Sequence, residues 1–386
     1  MSNKIRVAFV KFGGLSAGGT EKFLQQIAAN LPKDRFHVDY FYCDAAPYIG
    51  SDYKHGDTDP ARLAYMQKNN VNLIKFNVRY KDVTKPTHDW VDTDFWSKFN
   101  EKNYDIVQTG RSGHPEYPFC LIKNTPIVDS IHLTGMTDNQ PNIAKVIHVS
   151  EWNRDMWVKA GGDQRKAEVV YLPIEAHSVP KTDNLREAFN LEGKFVVGLH
   201  QRDDKNIFSP WPIEAFSKMP GDDNVFLLLG GSKKHAMQAE QLGLKNFVQI
   251  PFTGDMQYVY RFLNTLDVYA HGRWDGEVNS QAIAEALSVG LPVVTHLGAV
   301  SNGHVEIMKT LGFVHGDFYS YVFDLVNYKS NPKYRAWISQ RSKDRFKEKY
   351  SFDSIIQKIC SIYEDVAQNR HQETQPDSWM SQWLNT

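Results

Sequence analysis

The run Asp267-Val-Tyr-Ala-His-Gly-Arg-Trp-Asp-Gly-Glu277-Val-Asn-Ser-Gln-Ala-Ile-Ala-Glu285-Ala-Leu-Ser-Val-Gly290-Leu-Pro-Val-Val-Thr295 passes through four kinds of local pattern in order. A β-branched and aromatic segment, 267–270, predicts a strand. A polar loop with two glycines follows, then a helical pattern over 281–289. Gly290 ends that helix before a second apolar run, 292–295. Strand, loop, helix and strand in this order make one step of a parallel sheet covered by helices.

The same rhythm extends outward in both directions. Toward the N-terminus, strands are expected at 5–10, 37–43, 71–76, 104–109, 126–131, 146–149 and 169–172, with helices at 21–31, 61–68, 94–102 and 153–160. The alternation pauses over a polar segment, 173–191, and then restarts. The second series has strands at 195–199, 225–229, 247–250, 267–270, 292–295 and 313–314. Helices at 212–218, 236–241, 256–265, 281–289 and 305–309 separate them, and 335–349 and 352–368 close the chain. The expectation is an α/β protein of two Rossmann-like domains facing across a cleft. The first covers 1–173, a linker 174–192, the second 193–365, and a tail 366–386 carries Trp379 and Trp383, with a return to the first domain as one course open to it.

Bulk properties agree with two domains. A chain of 386 residues is long for one core and natural for two of roughly 150–200 residues each. The formal net charge of −1 gives no electrostatic reason to expect nucleic acid as a partner. Cys43, Cys120 and Cys360 are too scattered for a disulfide framework or a zinc cluster, which fits a reducing cytoplasm. No stretch approaches the roughly 20 apolar residues that span a bilayer. At most a peripheral membrane contact is expected.

Ligands of doubly wound sheets sit beyond the carboxyl ends of the strands, so the residues just after each strand carry the chemistry. After the first strand, Lys11-Phe12-Gly13-Gly14-Leu15-Ser16-Ala17-Gly18-Gly19-Thr20-Glu21 opens into a helix. Its glycines could bring backbone amides to a ligand, or form a turn that starts the helix with Thr20 or Ser16 as cap. It has neither the dinucleotide fingerprint nor the P-loop spacing. In the second half, Glu285 falls inside a helix among Ala282, Ile283, Ala284, Ala286 and Leu287. A carboxylate on such a face must be hydrogen-bonded, by backbone amides, by a lysine, or by a ligand diol.

This second-half element resembles that of the retaining GT-B glycosyltransferases of the GT4-type group. Their E-x7-E pattern matches Glu277 and Glu285, followed by Ala-Leu-x-x-Gly-Leu-Pro-Val-Val. The resemblance implies that Glu285 binds the nucleoside ribose and that Glu277 contacts hydroxyls of the transferred sugar. Asn279 and Ser280, opening the helix, join Gly13, Gly14 and Glu285 as expected donor contacts. In His200-Gln201-Arg202-Asp203-Asp204-Lys205, Arg202 and Lys205 match the family's cations against the donor phosphates. They would neutralise the leaving diphosphate in place of a metal. Asp203 and Asp204 could instead pair with them. His132, ending the 126–131 strand, matches the family's histidine beside the donor sugar. Val149-Ser150-Glu151 resembles a family run that marks the fold.

The resemblance further implies a nucleotide-sugar donor such as a UDP- or GDP-sugar as co-substrate, no metal cofactor, and a carbohydrate, lipid-linked or small-molecule acceptor. The chain departs from the family pattern at three places. Leu199 follows Gly198 where arginine is usual, Ser280 replaces a glycine, and Leu172-Pro173-Ile174-Glu175 stands at the domain boundary. Asp57-Thr58-Asp59 and Asp92-Thr93-Asp94 spell the D-x-D that binds a metal in another architecture, but each precedes a helical pattern, where capping is the simpler account. A nucleotide-sugar 2-epimerase-like isomerase and a non-catalytic nucleotide-sugar scaffold remain as other readings of the same fold.

Overall fold

Strand Ile5–Val10 (β1) begins the first sheet, and four consecutive side chains of its Ile-Arg-Val-Ala-Phe-Val sequence are buried. The computed structural model describes residues 4–16, 18–51, 56–111, 116–134, 140–175, 179–308, 311 and 314–374. After β1 come Phe36–Tyr42 (β2), Asn72–Lys75 (β3), Ile106–Thr109 (β4), Ile127–Ile131 (β5), Ile143–His148 (β6) and Ala167–Val169 (β7). They form one seven-stranded sheet in the order β7-β6-β5-β4-β1-β2-β3, parallel throughout. β4 and β5 are buried at every position, as expected of parallel strands covered on both faces.

The second sheet runs Phe195–Gln201 (β8), Asn224–Gly230 (β9), Phe247–Ile250 (β10), Val268–Ala270 (β11), Val293–His296 (β12) and Val314–His315 (β13). Its order is β10-β9-β8-β11-β12-β13. β9, Asn-Val-Phe-Leu-Leu-Leu-Gly, is buried throughout. Gly198 on β8 is a packing glycine: a Cβ there would sit 2.2 Å from the Leu227 carbonyl of β9. The helix Met256–Thr265 turns Val259, Phe262 and Leu263 into the same core, the spacing of one helical face.

The chain divides into two compact units, Met1–Val170 with Ile355–Thr386, and Tyr171–Ser354. The closing helix Phe352–Thr374 joins the first unit. There the Tyr363 hydroxyl donates to Gln108 Oε1 at 2.8 Å, and its ring packs on Phe9 and Phe36. The polar segment after β7 is partly structural, with Ile174, Leu185 and Leu191 buried in the second core.

Two local expectations are corrected and one helix is added. The helix expected over 94–102 stops at Lys98. Asn100 then accepts a hydrogen bond from the Lys102 amide at 3.1 Å and opens a separate 3-10 turn, an asparagine side chain competing with the helix for backbone donors. The first helix, Gly19–Asn30, starts at Gly18 with no side-chain cap, so neither Ser16 nor Thr20 serves. A helix at Phe318–Ser330 was not legible, because its aromatic and β-branched residues mask a buried stripe of Tyr321, Leu325 and Tyr328. Trp379, Trp383, Phe313 and Lys309 lie outside the described residues.

Candidate active site

In the second sheet, β8 has β9 on one side and β11 on the other, so chain order reverses between β8 and β11. Such a reversal opens a crevice at the strand carboxyl ends, where doubly wound folds bind ligands. A pocket of about 350 Å³ lies there, lined among others by His200, Arg202, His271, Arg273, Glu277 and Glu285. The two strand ends are tied together. Gln201 Nε2 donates to the Gly272 carbonyl at 3.2 Å, and the Tyr269 hydroxyl donates to the His200 carbonyl at 3.2 Å.

Glu285 and Glu277 both line this pocket. The helix that carries Glu285 runs Gln281–Ser288, with Ser280 as its N-cap accepting from the Ile283 amide at 3.3 Å. Gly290, at φ +81°, follows the C-cap Val289, the left-handed position that glycine takes at no steric cost. Glu285 is 5% exposed. Its Oε2 lies 2.9 Å from His200 Nε2 and its Oε1 accepts from Gln281 Nε2 at 3.0 Å. Neither a lysine nor a backbone amide was needed to hold it.

Glu277 precedes the helix. Its Oε2 is 3.0 Å from His271 Nε2, and its Oε1 accepts from Arg273 Nη1 at 3.3 Å. Burial by itself would raise the Glu277 pKa, but the bond and charge of His271, the Ser280 hydroxyl and Arg273 outweigh it and hold the carboxyl at about 2. Glu277 is therefore an acceptor-only group near neutral pH. His271 Nε2 must carry the proton of their hydrogen bond.

The other expected residues are placed as follows. Arg202 lines the pocket with an exposed side chain that donates to Asp204 Oδ2 at 3.1 Å. Lys205 is exposed and is not among the lining residues. Ser280 is buried in its capping role, and Asn279 is half-buried beside it. Sequence reasoning missed His200, His271, Arg273 and Gln281. A signal was present, since His200 and His271 lie at strand ends, Arg273 in the loop that follows and Gln281 in the first helical turn, but single residues of these types there are common and carry no pattern.

In the first unit, Gly13 and Gly14 do not present free amides. The Gly13 amide donates to Cys43 Sγ at 3.1 Å and the Gly14 amide to the Gly56 carbonyl at 3.3 Å. A Cβ on Gly14 would sit 2.4 Å from the Thr58 nitrogen, so close packing accounts for that glycine. His132, at the carboxyl end of β5, lies edge-on to Phe23 with ring centroids 5.0 Å apart. Its Nε2 is buried without a hydrogen-bond partner among the described residues, and burial pushes its pKa down to about 3. Both D-x-D segments are occupied structurally. Asp59 Oδ1 caps a helix through the Ala61 amide at 2.8 Å. Thr93, rather than Asp94, accepts from the Phe95 amide at 3.1 Å, while Asp94 binds Asn77 and Lys98.

Two Rossmann-like units with these sheet orders define the GT-B architecture, and the chain's structural neighbours are glycosyltransferases of that architecture. Anabaena HepE in complex with UDP is similar with a TM-score of 0.71 at 18% identity, over 94% of this chain and 100% of that one. A glycosyltransferase from Rickettsia africae gives 0.72 at 15% identity over 95% and 100%. The lipopolysaccharide outer core galactosyltransferase WaaB gives 0.62 at 13% over 96% and 100%. At these identities the likeness establishes the fold. No protein-family model matches the chain, and no curated protein sequence matches it. Among the described residues, no helix is long and apolar enough to cross a membrane.

Proposed function

We propose that the chain is a glycosyltransferase that moves a sugar, a hexose by the family resemblance, from a nucleoside diphosphate donor to an acceptor hydroxyl. Anomeric configuration is retained and no metal takes part. The observation that carries this reading is that Glu277 and Glu285 line one pocket at the β8–β11 crossover, each held by a histidine. A ribose offers two hydroxyl donors to Glu285, and the diphosphate lies toward the N-terminus of Gln281–Ser288, where unsatisfied amides favour negative charge. Arg202, exposed on the pocket rim, stabilises the departing phosphate. Lys205 is assigned the same work by resemblance and would have to turn inward from its exposed position.

The Glu277 carboxylate accepts hydroxyls of the transferred sugar, and its negative charge favours positive charge building at the anomeric carbon. The acceptor hydroxyl forms the new bond on the face from which the diphosphate leaves, and its proton passes to a donor phosphate oxygen. Resemblance alone assigns His132 to the donor sugar and acceptor side, and Gly13 and Gly14 are assigned to the donor by the glycine-rich turn before the first helix. The donor is a UDP- or GDP-sugar; in support, the neighbour HepE has been solved in complex with UDP-glucose. The acceptor is a carbohydrate, a lipid-linked sugar or a small molecule, and the place of action is the cytoplasm.

The test is turnover of nucleotide sugars against an acceptor panel in EDTA, with the product's anomeric configuration read by NMR. Release of nucleoside diphosphate and a retained linkage in EDTA are expected. Turnover that requires Mn²⁺ or Mg²⁺, or an inverted linkage, would contradict the mechanism.

A further inference from the structure

Glu277 is gripped at two points, its side chain and its main chain, by two histidines anchored on the same strand. His271 reaches Glu277 Oε2 with Nε2 at 3.0 Å, while its Nδ1 lies 2.8 Å from Thr295 Oγ1 on β12. His304 holds the backbone. Its Nδ1 accepts from the Glu277 amide at 3.2 Å, and its own amide donates to the Glu277 carbonyl at 3.1 Å. The opposite ring nitrogen, Nε2, donates to the carbonyl of His296 on β12 at 2.9 Å. The two rings stand 5.5 Å apart.

This arrangement is costly unless it is used. His271 and His304 are 5% and 0% exposed, and buried imidazoles destabilise the fold unless their nitrogens are hydrogen-bonded. All four ring nitrogens are bonded, and one nitrogen of each ring faces Glu277. The loop itself is admitted by Gly276, at φ +70°, where a Cβ would lie 1.8 Å from the Ser301 carbonyl. That close approach lets Gly276–Glu277 pair in parallel with Ser301–Asn302.

The geometry points to His271 and His304 as a paired clamp that fixes the Glu277 carboxylate against β12 and aims it at the transferred sugar. Both are positioning residues, acting through Glu277 rather than on the substrate, and the inference rests on the glycosyltransferase reading of the pocket. The clamp predicts opposite rescue rules at the two positions. Glutamine places its amide nitrogen where an imidazole has Nε2, and asparagine places its amide where an imidazole has Nδ1. His271→Gln therefore keeps the donor to Glu277, and His271→Asn loses it. At His304 the order reverses: His304→Asn keeps an acceptor for the Glu277 amide, and His304→Gln loses it.

The experiment compares these four variants with the wild type, each checked for folding by circular dichroism and melting temperature. UDP, GDP, ADP and TDP are titrated by calorimetry, and the diphosphate that binds the wild type is then compared with its glucose conjugate in binding and turnover. His271→Gln and His304→Asn should remain close to wild type. His271→Asn and His304→Gln should bind the bare diphosphate as before while kcat/KM falls about 10- to 100-fold, the scale for a group that orients a first contact. If His304→Gln does not fold, the contrast between Gln and Asn at His271 decides alone. The same ranking of Gln and Asn at both positions, or equal activity of His271→Gln and His271→Asn, overturns the clamp. A wild type that binds none of the four diphosphates overturns instead the reading on which the clamp rests.

Discussion

His200 Nε2 stands 2.9 Å from Glu285 Oε2, joining the end of β8 to the helix that follows β11. The carboxylate spends one oxygen on the histidine and the other on Gln281. Each carboxylate oxygen has two lone-pair directions, so capacity remains for a ribose diol without breaking either bond.

Replacing Glu285 by glutamine puts an amide donor opposite one of two existing donors and removes the charge that strengthens hydrogen bonds from hydroxyls. Nucleoside diphosphate affinity should fall by about 1.5–3 kcal/mol, the range for hydrogen bonds to charged groups. Calorimetry on the folded Glu285→Gln protein reads this directly. Unchanged affinity would leave Glu285 a structural partner of His200.

Glu277→Ala and Arg202→Ala should fail in different ways. By its assigned role Glu277 touches only the sugar, so Glu277→Ala should bind the bare diphosphate nearly as wild type while kcat/KM drops about 10²-fold or more. Arg202→Ala should weaken the bare diphosphate as well as turnover, because its partner is the phosphate. Equal weakening of the bare diphosphate by the two changes would show that the sugar does not lie beside Glu277.

Acid should destabilise both units. Burial pushes the His148 and His296 rings down to about 4, one in each unit. The unfolded chain protonates these rings near pH 6.5 while the folded chain leaves them neutral. The unfolded state thus binds more protons, and stability rises with pH across this window. Their contribution is complete above about pH 6.5 and is lost toward pH 4, by up to about 1.4 kcal/mol per pH unit for each ring. Urea denaturation at a series of pH values, followed separately for each unit, checks this; stability that stays flat down to about pH 5 would contradict it. Glu277, held at about 2 by His271, Ser280 and Arg273 against burial, stays ionised across this window.

The parallel sheets were legible because their strands are short apolar runs set between helical patterns. β1 and β10 fall at the expected residues. The pairing of Glu277 with Glu285 was legible only through the resemblance to the E-x7-E element; the residues alone placed one in a loop and the other in the helix that follows. What holds them was not. His200, His271 and His304 come from different segments and meet Glu277 and Glu285 only through the β8–β11–β12 neighbourhood, which is a property of strand order. Gly13 and Gly14 illustrate the converse: their spacing suggested anion contacts, but their amides are taken by Cys43 and by Gly56, contacts that no local pattern announces.

A nucleoside diphosphate held in the β8–β11 pocket through Glu285 must stabilise the folded chain in a way that depends on that carboxylate. The decisive measurement is thermal denaturation of the wild type and of Glu285→Gln, each with and without a saturating series of nucleoside diphosphates. A ligand that binds only the folded state raises the melting temperature in step with its occupancy, adding about 2.7 kcal/mol at a hundredfold excess over Kd. A clear rise is expected for one diphosphate, UDP or GDP foremost, and it should be largely lost in Glu285→Gln. No rise with any diphosphate, or the same rise in both proteins, would contradict binding through Glu285.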